Sequence, residues 1–200
     1  MAQSNETAAL EVVSRLGVVR PSDLEAHGIP RSVLANLLER GLVVREARGI
    51  YTAAGHPITE NHTLAVVSKS VPTGIVCLLS ALRFHELTTQ SPSEVWIAIP
   101  IKARRPRLEY PQLRVARFSG DALTEGVELH RVEGVEVKVY SAAKTVADCF
   151  KYRNKIGVDV AVEALRDFGK LYRGRASELA RFAKVCRVSR VMQPYLDAIA

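Results

Sequence analysis

Apolar positions recur at helical spacing three times between residues 6 and 41, each time closed by a glycine. Leu10, Val13 and Leu16 mark a first helix over residues 6–16, followed by Gly17. A second opens at "SDLE" (22–25), where Ser22 is placed to cap the N-terminus and Glu25 to reach back as in a capping box; Gly28 follows. The third, "IPRSVLANLLERG" (29–41), has Pro30 suited to a first turn and Gly41 to the left-handed residue just past a helix end. Leu34, Leu37 and Leu38 form its apolar stripe, and Arg31, Ser32, Ala35 and Asn36 lie off it. The pattern then changes at "LVVREARGIYTA" (42–53), two β-prone ends around a charged, glycine-containing centre, which predicts a hairpin. Three helices and a two-stranded ribbon are the plan of a winged helix-turn-helix, whose last helix is the reader.

A polar break at "HPITEN" (56–61) leads into a helix expected in "NHTLAVVSKS", and "GIVCLLSALRFHELT" (74–88) is apolar enough for a buried helix. Alternation then predicts strands in "EVWIAIP" (94–100) and "LRVARFS" (113–119), and a hairpin in "VELHRVEGVEVKVY" (127–140) hinged at Glu133-Gly134. Helical spacing returns over 141–155, 158–170, 176–186 and 189–199. The expected fold class is therefore α+β. A winged helix-turn-helix over 1–56 and a linker helix over 57–73 precede a small α+β domain over 74–200 that ends in a helical bundle.

Charge changes this picture. Residues 1–56 hold six Lys/Arg and six Asp/Glu, so the whole formal charge of +7 belongs to the remainder. Residues 144–190 alone carry 12 Lys/Arg against five Asp/Glu, a basic balance that favours an acidic partner such as nucleic acid. No apolar run approaches a membrane span, and "MAQSNETAAL" lacks the form of a signal peptide. Three cysteines with no C-x-x-C pair indicate neither a disulfide framework nor a zinc site. A reducing cytoplasm is the expected setting, with no membrane partner, and the five histidines show no metal spacing. No cofactor or metal is expected.

In the helix-turn-helix reading, Arg31, Ser32, Ala35 and Asn36 face the groove, and Asn36 is suited to a bidentate adenine contact. Arg45 and Arg48, near the wing tip, would grip phosphate or enter the minor groove. Tyr51 is expected to pack the wing onto the helices. The alternative is a winged helix used for protein contacts. "KARRPRLEYP" (102–111) concentrates Lys102, Arg104, Arg105 and Arg107, and reads either as a loop reaching phosphate beside the wing or as a solvated one. Lys144 and Asp148, four residues apart, share a helix face with Lys151 and Arg153 close by. They read as a polar patch for partner contact, or, for Lys144 and Asp148, as an ion pair holding the helix to the sheet. Cys77, Cys149 and Trp96 are expected in the core. A further alternative makes the chain a metal-dependent nuclease: "VEVKV" places Glu136 and Lys138 on one strand face, with Asp121 or Glu128 as the missing ligand.

The chain resembles the AbiEi-type antitoxins of type IV toxin–antitoxin systems. The resemblance is carried by "GIPRSVLANLLERGLVVREARGIY", "VCLLSALRFHELTTQSPSEVWIAIP", "RRPRL", "AAKTVADCFKYRNKIGVDVAVEALR" and "CRVSRVMQPYL". It implies a non-enzymatic repressor whose winged helix binds repeats in its own double-stranded promoter DNA. It also implies a C-terminal domain that counteracts a nucleotidyltransferase-type toxin without a stable complex. Such a toxin would need a Gly-Ser turn followed by paired aspartates, and no Gly-Ser dipeptide occurs here.

Overall fold

The computed structural model describes residues 2–199, which fall into two compact units. The first takes in the N-terminal residues through Thr73, together with Pro106–Gln112 and His130–Val137. The second holds Gly74–Arg105, Leu113–Leu129 and the residues from Lys138 onward.

The first unit runs α1 (Ala2–Leu16), α2 (Pro21–Glu25), α3 (Ser32–Glu39), β1 (Val43–Ala47), β2 (Ile50–Ala53) and α4 (His62–Ser70). Ala9, Val12 and Val13 of α1 meet Leu24 of α2, Leu34 and Leu37 of α3, and Val43 in one apolar core. Two local expectations are corrected. The cap of α2 lies at Arg20, whose N–H donates to the Asp23 carboxylate at 2.7 Å, because Pro21 needs no N–H and takes the first turn. Leu38 is 36% exposed, and Val33 packs inward in its stead. The ribbon pairs Val43 with Ala53 and Val44 with Thr52, and gains a third, single-residue partner. Val19 and Tyr51 exchange N–H···O=C bonds of 2.8 and 2.9 Å, tying the ribbon to the connection between α1 and α2. Tyr51 packs against the helical core. The helix expected as a linker is α4, whose residues Leu64 to Val67 are buried and whose Lys69 meets Asp23 of α2 at 2.7 Å.

The second unit is built on β3 (Ile75–Val76), α5 (Leu78–Phe84), β4 (Val95–Pro100), β5 (Leu113–Phe118), α6 (Asp121–Thr124) and the outer ends of β6 (Val127–Val132) and β7 (Val135–Tyr140), whose turn-side residues 130–137 belong to the first unit. It continues with α7 (Ala142–Lys151), α8 (Arg153–Ile156), α9 (Val158–Leu171), α10 (Ala176–Val185) and α11 (Ser189–Ile199). The five strands lie in the order β5-β4-β3-β7-β6. Strand β3 was expected as part of a helix. An unbroken apolar run such as "GIVCLL" has no period to separate a central strand from a buried helix. Here Val76 pairs with Ile97 on one side and Val139 on the other. Strands β4 and β5 are parallel, from Val95↔Leu113 to Pro100↔Phe118. A parallel pair obliges the chain to return the full strand length before re-entering the sheet, so the basic connection over 101–112 is long of necessity.

Helix α7 packs against α5, α9 and α10, and every residue from Ala142 to Phe150 is buried. Ala142, Ala143 and Ala147 permit the close approach this requires. Ser141 caps it, its hydroxyl accepting from the Lys144 N–H.

Candidate nucleic-acid interface

Arg31, Ser32, Ala35 and Asn36 are all exposed, on the side of α3 away from Leu34 and Leu37. Glu6 of α1 reaches this surface. Its carboxylate accepts from Asn36 Nδ2 at 2.6 Å and pairs with the Arg40 guanidinium. One of the two amide donors of Asn36 is therefore engaged within the protein, and a bidentate contact to adenine would compete with Glu6. Nothing in the sequence pattern joined Glu6 to Asn36; they lie 30 residues apart.

Strand β1 and the turn after it carry Arg45 and Arg48, both exposed. They line an open cleft with Glu46, Ala47 and a second segment, Arg107, Leu108, Glu109 and Tyr110. The basic connection thus brings Arg107 to the ribbon. Arg104 and Arg105 are exposed as well, but they belong to the second unit. Glu46 is turned toward α4, accepting from Thr52 Oγ1 at 2.8 Å with His62 Nε2 at 3.5 Å.

The β6–β7 turn is fastened inside the first unit. Glu133 and Gly134 both have positive φ, 47° and 80°, the backbone of a tight two-residue hairpin turn. The Glu133 carboxylate accepts from Thr59 N–H (2.8 Å), Thr59 Oγ1 (2.7 Å) and His62 Nδ1 (2.6 Å), and His56 Nε2 stands 3.5 Å away. Burial raises its pKa, but the hydrogen bonds from His62 and Thr59 outweigh that and hold the carboxyl below its ordinary value. Gly17 at the end of α1 lies so close that a Cβ there would stand 2.1 Å from the Glu133 carbonyl oxygen. The hinge was legible in the sequence; its role as a clasp, dependent on His62, was not.

Lys144, Asp148, Lys151 and Arg153 do not form one exposed patch. Lys144 and Asp148 are 0% and 1% exposed and pair at 2.5 Å, the arrangement of the ion-pair reading. The Lys144 ammonium also lies 4.1 Å from the Tyr140 ring centre and 4.9 Å from that of Phe118. Burial drives the Asp148 pKa up, partly offset by Lys144 and by the Cys186 thiol, which donates to Oδ1 at 3.1 Å. Burial, reinforced by Asp148, pushes the Cys186 thiol up to about 12. Cys77 and Cys149, both buried, are raised too, so none of the three is a thiolate at neutral pH. Lys151 donates to the Cys186 carbonyl (3.2 Å) and Arg153 to that of Phe150 (2.9 Å), leaving Lys151 exposed and Arg153 half-buried. Glu136 and Lys138 share a face of β7 opposite the buried Val135, Val137 and Val139. Among the described residues no three of His, Cys, Asp and Glu come together as metal ligands. No helix among them is long and apolar enough to cross a membrane.

The chain is mixed α+β, and its first unit carries a short polar helix face and an arginine-bearing ribbon. Residues 8–54, from α1 through β2, match the family described as transcriptional regulator, AbiEi antitoxin. No curated protein matches the chain.

Proposed function

We propose that the first unit is a winged helix-turn-helix that reads double-stranded DNA, and that the chain represses its own promoter as the antitoxin of a type IV system. The observation that carries this reading is the exposed face of α3 with Arg45 and Arg48 on the adjoining ribbon, inside the segment that matches the family. Arg31, Ser32, Ala35 and Asn36 read base edges, where short side chains allow close approach, and a bidentate contact by Asn36 displaces its bond to Glu6. Arg45 and Arg48 hold phosphate, and Arg104 and Arg105 add sequence-independent attraction. The protein acts without catalysis, in the cytoplasm, against a nucleotidyltransferase-type toxin and without a lasting complex with it. Lys151 and Arg153 are the accessible remainder of the toxin-countering surface.

A reporter gene placed behind the DNA upstream of this chain's own gene tests the regulatory half. Wild-type protein represses it, and the Arg45→Ala/Arg48→Ala variant relieves repression while melting at the same temperature as wild type. Repression unchanged by that variant overturns the assignment of the ribbon to DNA. For the other half, Lys151→Ala/Arg153→Ala weakens growth rescue from a co-expressed nucleotidyltransferase toxin and leaves the reporter repressed; full rescue removes those two residues from the role.

A further inference from the structure

We propose that the connection between β4 and β5 is part of the DNA contact, its Arg107 completing with Arg45 and Arg48 a three-guanidinium cleft that holds a backbone phosphate. This rests on the DNA-reading assignment and extends it to a segment outside the span that matches the family.

The three arginines reach the cleft from separate places: Arg45 from β1, Arg48 from the ribbon turn and Arg107 from the connection. All are exposed, and among the described residues none is paired with a carboxylate. Like charges in excess of their counter-charges repel one another, and an anion seated among them relieves that repulsion. Guanidinium groups match phosphate oxygens in pairs, with a planar fork of donors. Three guanidinium-bearing residues line the cleft against two carboxylate-bearing ones, Glu46, which accepts from Thr52 and lies near His62, and Glu109, so positive charge is in excess.

The segment is placed by its own chemistry. Pro111 is buried and Leu108 half-buried, whereas Arg107, Glu109 and Tyr110 are exposed, Tyr110 at 68%. Two apolar residues thus hold the loop while its polar ones face outward. Tyr110 adds a phenolic donor and an aromatic face at the same cleft, suited to phosphate and sugar. The cleft is open and lined from strand β1, the turn after it and the connection, which fits a continuous polyanion such as duplex DNA. It also meets a need of the sequence: residues 1–56 have no net charge of their own, and Arg107 supplies charge beside the ribbon from a later part of the chain.

The test measures the affinity of the full chain for the upstream duplex and for a shuffled duplex across a range of salt. Arg107→Ala weakens both by a similar factor and lowers the slope of log K against log salt by about 0.9, the loss of one neutralised phosphate. Arg107→Lys restores the slope. Glu109→Gln tightens both, an effect of opposite sign that misfolding does not produce. Arg166→Ala on α9 removes the same charge elsewhere and leaves the slope unchanged. An unaltered slope in Arg107→Ala, or no tightening in Glu109→Gln, overturns the proposal while wild type still binds. If Arg166→Ala changes the slope as much as Arg107→Ala does, net charge and not the cleft is responsible, and the proposal again falls. Failure of wild-type protein to bind either duplex removes the DNA reading itself, and this inference with it.

Discussion

Lys144 carries its charge into the centre of the second unit, where it meets Asp148 at 2.5 Å and the ring of Tyr140 at 4.1 Å. Two ions taken out of water gain little net stability from each other, but either one left alone is a buried, unpaired charge. Lys144→Met and Asp148→Leu should each lower unfolding free energy by about 3–5 kcal/mol in urea denaturation, and the double variant by clearly less than the sum. Additive losses would show that the two charges are not coupled. Their four-residue spacing was visible in the sequence; their burial was not, because it depends on which helices close over α7. Glu133 is a surface turn residue by sequence and a clasp by structure, its side chain only 4% exposed. Its folded pKa is depressed, so the stability it contributes is complete above the unfolded value and is lost as pH falls through the folded one. The stability gap between wild type and Glu133→Gln should therefore be constant near neutrality and close at a pH below about 4.3, the ordinary value for Glu. A gap that persists unchanged below that range would contradict the clasp.

Elements with a clear period were legible. The apolar spacing over 158–170, 176–186 and 189–199 corresponds to α9, α10 and α11, and the alternation over 94–100, 113–119 and 127–140 to β4, β5 and the β6–β7 pair. Strand β3 and the parallel pairing of β4 with β5 were not, since one has no period and the other is a matter of partner rather than pattern. That pairing matters for the site, because it makes the connection long enough to form part of the other unit. The α1 terminus is equally dependent on a distant partner. Gly17 and Gly49 both have φ near 70°, yet a Cβ on Gly17 would stand 2.1 Å from Glu133 O whereas one on Gly49 meets nothing within 4 Å. Gly17→Ala should destabilise by well over about 1 kcal/mol, and Gly49→Ala by roughly that amount. Equal shifts in the denaturation midpoint would mean that the hairpin tip does not press on the end of α1.

For the molecule as a whole, the division of charge was the most informative feature of the sequence, and the one whose resolution needed coordinates. A segment with equal numbers of acids and bases is a poor match to DNA taken alone. The structure adds the 106–112 segment to that same unit and sets Arg107 with Arg45 and Arg48. The residues proposed to face the groove were legible as an exposed face of one helix; the bond from Asn36 to Glu6 was not. The central claim is that this chain recognises a DNA sequence. The most direct measurement is the ratio of its affinities for the upstream duplex and for a shuffled duplex of equal length, at about 0.15 M salt. The account predicts a ratio of roughly a thousand or more, the ordinary margin of a specific reader over non-specific binding. Equal affinities, or no binding to either duplex, would contradict it.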